Sequence, residues 1–163
     1  MNRWTVEQAQ AWYAEQPWQV GCNFLPSTAV NQLEMFQAET YDPATIDKEL
    51  GMAEELGFNT LRVYLHDLLW RDDKEGFISR LDDFLGIMDR HGMKALLVLF
   101  DDCHRPDPVS GTQLLPILGV HNCGWVMSPG QKLTEEFCVG SISDEERQRL
   151  EDYVTGILTA FKD

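Results

Sequence analysis

The feature that most limits the folds open to this chain is the regular alternation of helix-like and strand-like segments. Thr5 and Gln8 predict a capping box at the start of a helix over 6–15, and Asp42 and Gly57 mark the two ends of a helix over 42–57. Apolar side chains recur at helical spacing in residues 42–57 and 75–91, and again after the capping sequence SDEE at 143–146. Three predicted strands lie between these helices, at 18–25, at the start of 59–70 and at 93–102. The order α-β-α-β-α-β-α predicts an α/β fold with parallel strands and helical crossovers.

The strand ends carry the polar groups that an active site would need. His66 and Asp67 follow the second predicted strand. Asp101 and Asp102 end the third, a continuous apolar run of the kind buried on both faces of a parallel sheet, and an irregular segment at 103–142 follows. α/β proteins place their sites at such carboxyl ends. No glycine-rich nucleotide loop follows any predicted strand, so a piece of an eight-stranded barrel or a small open sheet is favoured over a nucleotide-binding fold.

The balance of charged residues limits the classes of partner that the chain is expected to bind. Its 163 residues, the size of one domain, carry 13 basic and 27 acidic side chains, for a net charge of −14. Such a surface repels phosphate backbones and anionic lipids, so neither nucleic acid nor a membrane is expected as a partner. The N-terminal residues lack the pattern of a signal peptide, and the four cysteines contain no C-x-x-C pair. Reduced thiols and a cytoplasmic location are therefore expected.

An arginine in the middle of the second predicted strand requires a partner. With a strand period of two, Arg62, Tyr64 and His66 share one face, while apolar residues occupy the other. In a barrel the first of these faces points into the interior. A lone guanidinium there is costly, so it is expected to meet an anion or several acceptors. Two interpretations stay open: a structural ion pair, or an arginine that orients a carboxylate in the site.

The strand-end residues also include potential metal ligands. The donors that a divalent ion prefers are present in His66 and Asp67, in the run Asp101-Asp102-Cys103-His104, and in His121. Their spacing matches no known metal motif, and carboxylates at strand ends often only cap the following loop. The sequence therefore predicts no metal and no cofactor.

Two tryptophans, Trp70 and Trp125, lie beside short polar stretches in the predicted strand-end loops. A flat indole face suits the C–H face of a sugar ring, and neighbouring carboxylates and amides can bind its hydroxyls. Each tryptophan can equally roof the core under a long loop. Glu34 and Glu39, in the first strand-to-helix connection, are either substrate contacts or part of a solvated face.

Residues 20–70, KALLVLFDDC at 94–103 and GVHNCGWVMSPG at 119–130 together resemble the N-terminal part of clan A glycoside hydrolases. More narrowly, the chain resembles cellulase-like bacterial proteins labelled as xylanases or cellulases, from about Trp18 to the end of the sequence. The resemblance implies a (β/α)8 TIM barrel. Residues 1–163 would be the N-terminal portion of that single domain, about the first three β/α units plus an N-terminal helix, since a full barrel has about 250 residues.

The same resemblance implies a chemistry. Members of the family cleave β-glycosidic bonds with two glutamates, an acid/base and a nucleophile, and retain the anomeric configuration. Arg62 would be the strand-two arginine beside the nucleophile that keeps it ionised. The family's acid/base follows an asparagine at the end of strand four, and no Asn-Glu pair occurs in this sequence. Cys22 and His104 also stand where the family pattern has tryptophan.

Three interpretations of function follow. The first is a glycoside hydrolase-like segment with a carbohydrate substrate, lacking the catalytic glutamate pair and inactive alone. The others are a metal-dependent barrel isomerase or amidohydrolase built on the His/Asp cluster, and a non-catalytic sugar-binding remnant. Arg62 would have a supporting catalytic role. The expected substrate contacts are Glu34, His66, Asp67, Trp70, Asp101, Asp102, His121 and Trp125.

A three-stranded piece of a barrel also has uncovered surfaces. It leaves two sheet edges and one sheet face without a neighbour. Self-association, or pairing with the remaining C-terminal portion of a barrel, is the expected way to cover them.

Overall fold

The computed structural model describes residues 3–117, 119 and 124–162. Within these residues the chain forms six helices and three strands. In chain order they are α1 (Val6–Ala14), β1 (Gly21–Asn23), α2 (Gln32–Phe36), α3 (Pro43–Glu55), β2 (Thr60–Tyr64), α4 (Asp67–Arg90), β3 (Lys94–Val98), α5 (Gln131–Val139) and α6 (Asp144–Ala160). The predicted alternation is confirmed, and α2 and α5 are added to it.

The helix ends follow local capping chemistry. The predicted capping box at the start of α1 is present, and Asp42 caps α3 as expected. α4 begins at Asp67, earlier than the predicted start at residue 75, because the His66 ring accepts a hydrogen bond from the backbone N–H of Leu68. Non-helical backbone at Asp73 divides α4 into two pieces, which is why helical spacing alone detects only the second.

The expectation of an irregular segment throughout 103–142 is wrong, because α5 lies within it. Leu133 and Phe137 are one helical turn apart and provide a short apolar signal. Gly140 ends the helix in the left-handed region at φ +76°, a conformation that glycine adopts without strain.

The three strands form one parallel sheet in the order β1-β2-β3. Arg62, at the centre of β2, stands in register with Asn23 of β1 and Leu96 of β3. The observed architecture is therefore a mixed α/β fold with a small parallel sheet. None of the helices in the described part of the chain is long and apolar enough to cross a lipid bilayer.

One face of the sheet carries the core. Leu61 and Val63 of β2, and Leu65 directly after it, are almost fully buried beneath the helices. Phe36 of α2 packs edge-on against Phe84 of α4, with ring centroids 5.6 Å apart. The helix-packed face thus agrees with the period-two prediction for β2.

The other face of the sheet is open to solvent. Arg62 is exposed, and Leu96 at its side keeps 60% of its surface accessible. The interpretation of residues 93–102 as a strand buried on both faces is therefore corrected, because none of the described elements covers this side of β3. The open face ends at the carboxyl ends of the strands, where the candidate site lies.

Candidate functional site

An aromatic cluster, defined here as Arg62, Tyr64, His104 and Trp125, lies on the open face at the carboxyl end of the sheet. The guanidinium carbon of Arg62 is 4.7 Å from the centroid of the Tyr64 ring. Tyr64 and Trp125 have centroids 4.8 Å apart and planes at 82°, so the two rings form a corner. The His104 ring lies 6.0 Å from that of Trp125. Arg62 therefore meets an aromatic face here rather than the predicted anion.

Trp125 is held in place by the backbone on both sides of it. The buried amides at the start of α2 supply two bonds: Asn31 donates to the carbonyl of Gly124 at 2.9 Å, and Gln32 donates to that of Val126. Gly124 passes so close to the residues before α2 that a Cβ there would lie 2.6 Å from the Val30 carbonyl oxygen. The half-buried indole is consequently positioned by a rigid support and not by a free loop.

Asp101 lies beside this cluster and is largely committed to local contacts. Its backbone N–H and C=O both bond to Ser128 at 2.8 Å, and its Oδ1 accepts from the Cys103 N–H. Its Oδ2 is buried, makes no hydrogen bond in the described structure, and lies 3.5 Å from His104 Nε2. Asp101 thus contributes a carboxylate oxygen that faces the histidine of the cluster.

Asp102 lies on a different surface from the aromatic cluster. It is exposed and lies, with Asp101, on the wall of a cavity of about 650 Å³ between the end of β3, α5 and α6. Oxygen and sulfur atoms of Asp101, Asp102 and Cys103 all lie within 4.8 Å of one another. These three side chains could share a cation.

His66 and Asp67 form a buried structural contact instead of a substrate contact. His66 Nδ1 accepts from the Leu68 N–H, and its Nε2 is 2.8 Å from the Met127 carbonyl oxygen, so both ring nitrogens are occupied. Asp67 accepts from the Ser128 hydroxyl at 3.0 Å and from Arg149 at 2.9 Å. Neither side chain reaches the aromatic cluster.

The electrostatics of Asp67 follow from that contact. Burial by itself would raise the pKa of this carboxyl group. The polar contacts with His66 and the ion pair with Arg149 outweigh burial, so the pKa of Asp67 lies below its usual value. An ionised Asp67 therefore joins the end of β2 to the last helix.

Two more of the expected substrate-binding residues, Trp70 and Glu34, make contacts within the fold instead. Trp70 is buried, with its ring against Gly156 and Tyr153 of α6, which matches the roofing role that the sequence left open. Glu34 accepts from the Val30 N–H at 2.8 Å and so closes its own loop. His121 lies outside the described residues.

Sequence reasoning misses several residues that build this region. Tyr64 was detectable, because the strand period places it on the same face as Arg62. Asn31, Gln32, Ser128 and Arg149 carried no usable signal, since each acts on a partner at least 61 residues away along the chain. Comparison of the chain with protein families, with curated proteins and with solved structures finds no match in any of the three.

Proposed function

We propose that this chain is a segment of a (β/α)8 barrel of the glycoside hydrolase type, and that its aromatic cluster binds a β-linked carbohydrate. The observation that carries the proposal is the corner formed by Tyr64 and Trp125 next to Arg62, at the carboxyl end of parallel strands. That end is where α/β barrels bind substrates. The segment-by-segment resemblance to clan A glycoside hydrolases supports the same interpretation.

The chemistry of the cluster suits a neutral sugar. Indole and phenol rings offer apolar faces to the C–H groups of a pyranose, and their perpendicular arrangement shapes a pocket edge. The Arg62 guanidinium carries fixed donors for ring hydroxyls and for a carboxylate. The net charge of −14 disfavours a strongly anionic ligand at the same surface.

The residues at this end are proposed to bind and not to cleave. Retaining hydrolysis needs two carboxyl groups on opposite sides of the scissile bond, about 5 Å apart. Asp101 and Asp102 are consecutive on one loop, and Asp67 is committed to Arg149 and Ser128. In the proposed barrel the catalytic glutamates would come from other strands, with Arg62 beside the nucleophile.

The first test is calorimetric titration of the 163-residue chain with cello- and xylo-oligosaccharides. We expect binding by the unaltered chain and a loss of about 5- to 30-fold in affinity for Trp125→Ala, since stacking on one aromatic ring contributes on the order of 1–2 kcal/mol. Trp18→Ala is the matched control. Trp18 is exposed and precedes β1, at the opposite end of the strands, so its removal should leave the affinity unchanged.

The same samples test catalysis. Incubation with aryl β-glycosides should release no aglycone above the background of a mock purification. Equal losses for the Trp125 and Trp18 variants would contradict the assigned position of the site. Absence of binding to every β-linked oligosaccharide at about 10 mM would contradict the proposed ligand class, because even weak lectin-like sites give millimolar affinities.

A metal-dependent function is the second candidate. The approach of Asp101, Asp102 and Cys103 within 4.8 Å favours it, although His66 and Asp67 lie in other contacts. Titration with Zn²⁺ or Mn²⁺ decides between the two. Stoichiometric metal binding that is lost in Cys103→Ser would support the metal-dependent function. Absence of metal binding would favour the carbohydrate-binding proposal.

A further inference from the structure

The end of α4 carries a histidine whose two ring nitrogens both face carboxylates. His91 directly follows Arg90, the last residue of the helix. Its Nδ1 lies 2.7 Å from Glu54 Oε2, and its Nε2 lies 3.2 Å from Asp47 Oδ1. Both acids belong to α3, so the imidazole connects the helix before β2 to the helix after it.

The spacing of residues along α3 forms the binding position for this ring. Asp47 and Glu54 are seven residues apart, which places both carboxylates on one face of the helix. Gly51 lies between them, and a Cβ there would be 3.5 Å from His91 Cε1, so the ring lies over the glycine. The His91 side chain is 17% exposed, whereas those of Asp47 and Glu54 are 50% and 57% exposed. The ring is therefore enclosed while the two acids stay hydrated.

The geometry defines the protonation state in which this contact is complete. A carboxylate only accepts hydrogen bonds, and a neutral imidazole has a single N–H, so only an imidazolium ring donates to both acids. The carbonyl groups at the end of α4 also favour a positive charge at this position. Hydrogen bonding to Glu54 and Asp47 outweighs burial and raises the pKa of His91. The charged ring therefore persists to higher pH in the fold than in an unfolded chain.

The remaining charge beside the ring belongs to Arg90. Its Nη2 is 3.1 Å from the same Asp47 oxygen that faces His91. Asp47 consequently keeps a cationic partner when the ring loses its proton. Glu54 forms no other ion pair in the part of the chain that the structure describes, and its distance to the ring is the shorter of the two. A neutral ring should therefore keep its remaining N–H on Glu54.

We propose that His91, Asp47 and Glu54 form a pH-dependent clasp between α3 and α4 (the His91 clasp). In the closed form the protonated ring donates to both acids. When Nε2 gives its proton to water, Nδ1 still donates to Glu54, while the Nε2 lone pair faces the Asp47 carboxylate and is repelled by it. One of the two contacts from the ring to α3 is then lost. The clasp lies at the amino ends of the strands, so it is independent of the carbohydrate proposal.

Unfolding measurements test the stability that the clasp provides. The folded-state pKa of His91 lies above the unfolded value of about 6.5, so the contribution is fully present below about pH 6.5 and is lost as the pH rises through the folded pKa. The variant His91→Gln keeps one donor for an acid but takes up no proton. The ratio of its unfolding equilibrium constant to that of the unaltered chain should fall about two- to fivefold between about pH 6 and about pH 9, the effect of one ion pair. A ratio that stays constant would overturn the proposal.

NMR titration of the His91 ring tests the two acids separately. We expect the pKa of His91 to lie above that of an unfolded histidine, and both Glu54→Gln and Asp47→Asn to lower it, because each removes a negative charge beside the ring. Glu55→Gln is the matched control, since Glu55 is an exposed acid of α3 outside the clasp. A His91 pKa at the unfolded value, or equal shifts in all three variants, would contradict the clasp.

The nitrogen chemical shifts of the same ring identify its neutral form. Above the folded pKa we expect a proton on Nδ1 and a lone pair on Nε2. Hydrogen exchange then locates the change, because the α3 amides around Asp47 should lose protection at high pH relative to those of α6, which the clasp does not contact. Either a proton on Nε2 or equal losses of protection in both helices would overturn the proposed release of Asp47.

Discussion

Replacement of Arg149 by alanine is expected to lower the free energy of unfolding by about 3–5 kcal/mol. The guanidinium donates to Asp67 at 2.9 Å, and the side chains of Arg149 and Asp67 are 17% and 1% exposed. Without the arginine, Asp67 is left as a buried carboxylate beside the Ser128 hydroxyl and the His66 ring, without a direct ion pair to an arginine. Urea-induced unfolding at neutral pH measures the change.

Arg71→Ala is the matched control for this prediction. Arg71 forms an ion pair with Asp72 of similar length, but the two side chains are 47% and 39% exposed. Exposed pairs of this kind contribute about 0–1 kcal/mol. The double variant Asp67→Asn with Arg149→Met should recover part of the lost stability, because it removes the stranded charge. Equal effects of Arg149→Ala and Arg71→Ala would show that the buried pair does not join β2 to α6.

The lowered pKa of Asp67 sets the direction in which the free energy of unfolding changes with pH. The folded-state pKa of Asp67 is lowered below the unfolded value of about 3.9, so its contribution is present above about pH 4 and is lost as the pH falls through the folded pKa. In Arg149→Ala, burial without the guanidinium raises that pKa, and protonation then removes the buried charge. The stability difference between the unaltered chain and the variant should therefore narrow as the pH falls toward and below about 4, where Asp67 of the variant is protonated before that of the unaltered chain. A constant difference would contradict this assignment.

Alanine at Gly156 is expected to destabilise the fold by about 1–3 kcal/mol, against the usual preference of a helix for alanine. An ideal Cβ at this position of α6 would lie 2.0 Å from Cη2 of Trp70 and 2.6 Å from Cζ2. The indole of Trp70 is buried between its own helix α4 and α6, against Gly156 and Tyr153, so it can move only by disturbing the core. Thermal or urea unfolding, with tryptophan fluorescence as the probe, measures the loss.

Gly86→Ala makes the same chemical change in α4 with the opposite expected sign. No atom lies within 4 Å of a Cβ built at Gly86, so only the helix propensity and the reduced freedom of the unfolded chain act there. The free energy of unfolding of this variant should exceed that of the unaltered chain by about 0.5–1 kcal/mol. A Gly156 variant as stable as the Gly86 variant would contradict the close contact between α6 and Trp70.

Local patterns were sufficient for the element order because they act over a few residues. The capping box of α1, the Asp42 cap of α3 and the period-two alternation of β2 all involve near neighbours in sequence. Where helical spacing was interrupted, as at Asp73, or short, as in α5, the prediction failed. The parallel sheet followed from alternation alone, and the structure agrees with it.

Local patterns could not separate binding residues from structural ones. Trp70 and Trp125 have similar sequence surroundings, yet the first is buried against α6 and the second forms part of the aromatic cluster. His66 and Asp67 had the composition of a site and turned out to hold the fold together.

What the sequence determined by itself is the α/β architecture, with its parallel strands and the end of the sheet where polar groups gather. Only the tertiary structure decided which polar side chains meet. Asp67 is 61 residues from Ser128 and 82 from Arg149, and Asn31 is 93 from Gly124. The physical reason is one of range. Periodicity and capping energies arise between neighbours along the chain, whereas the partner of a buried charge depends on how distant segments pack.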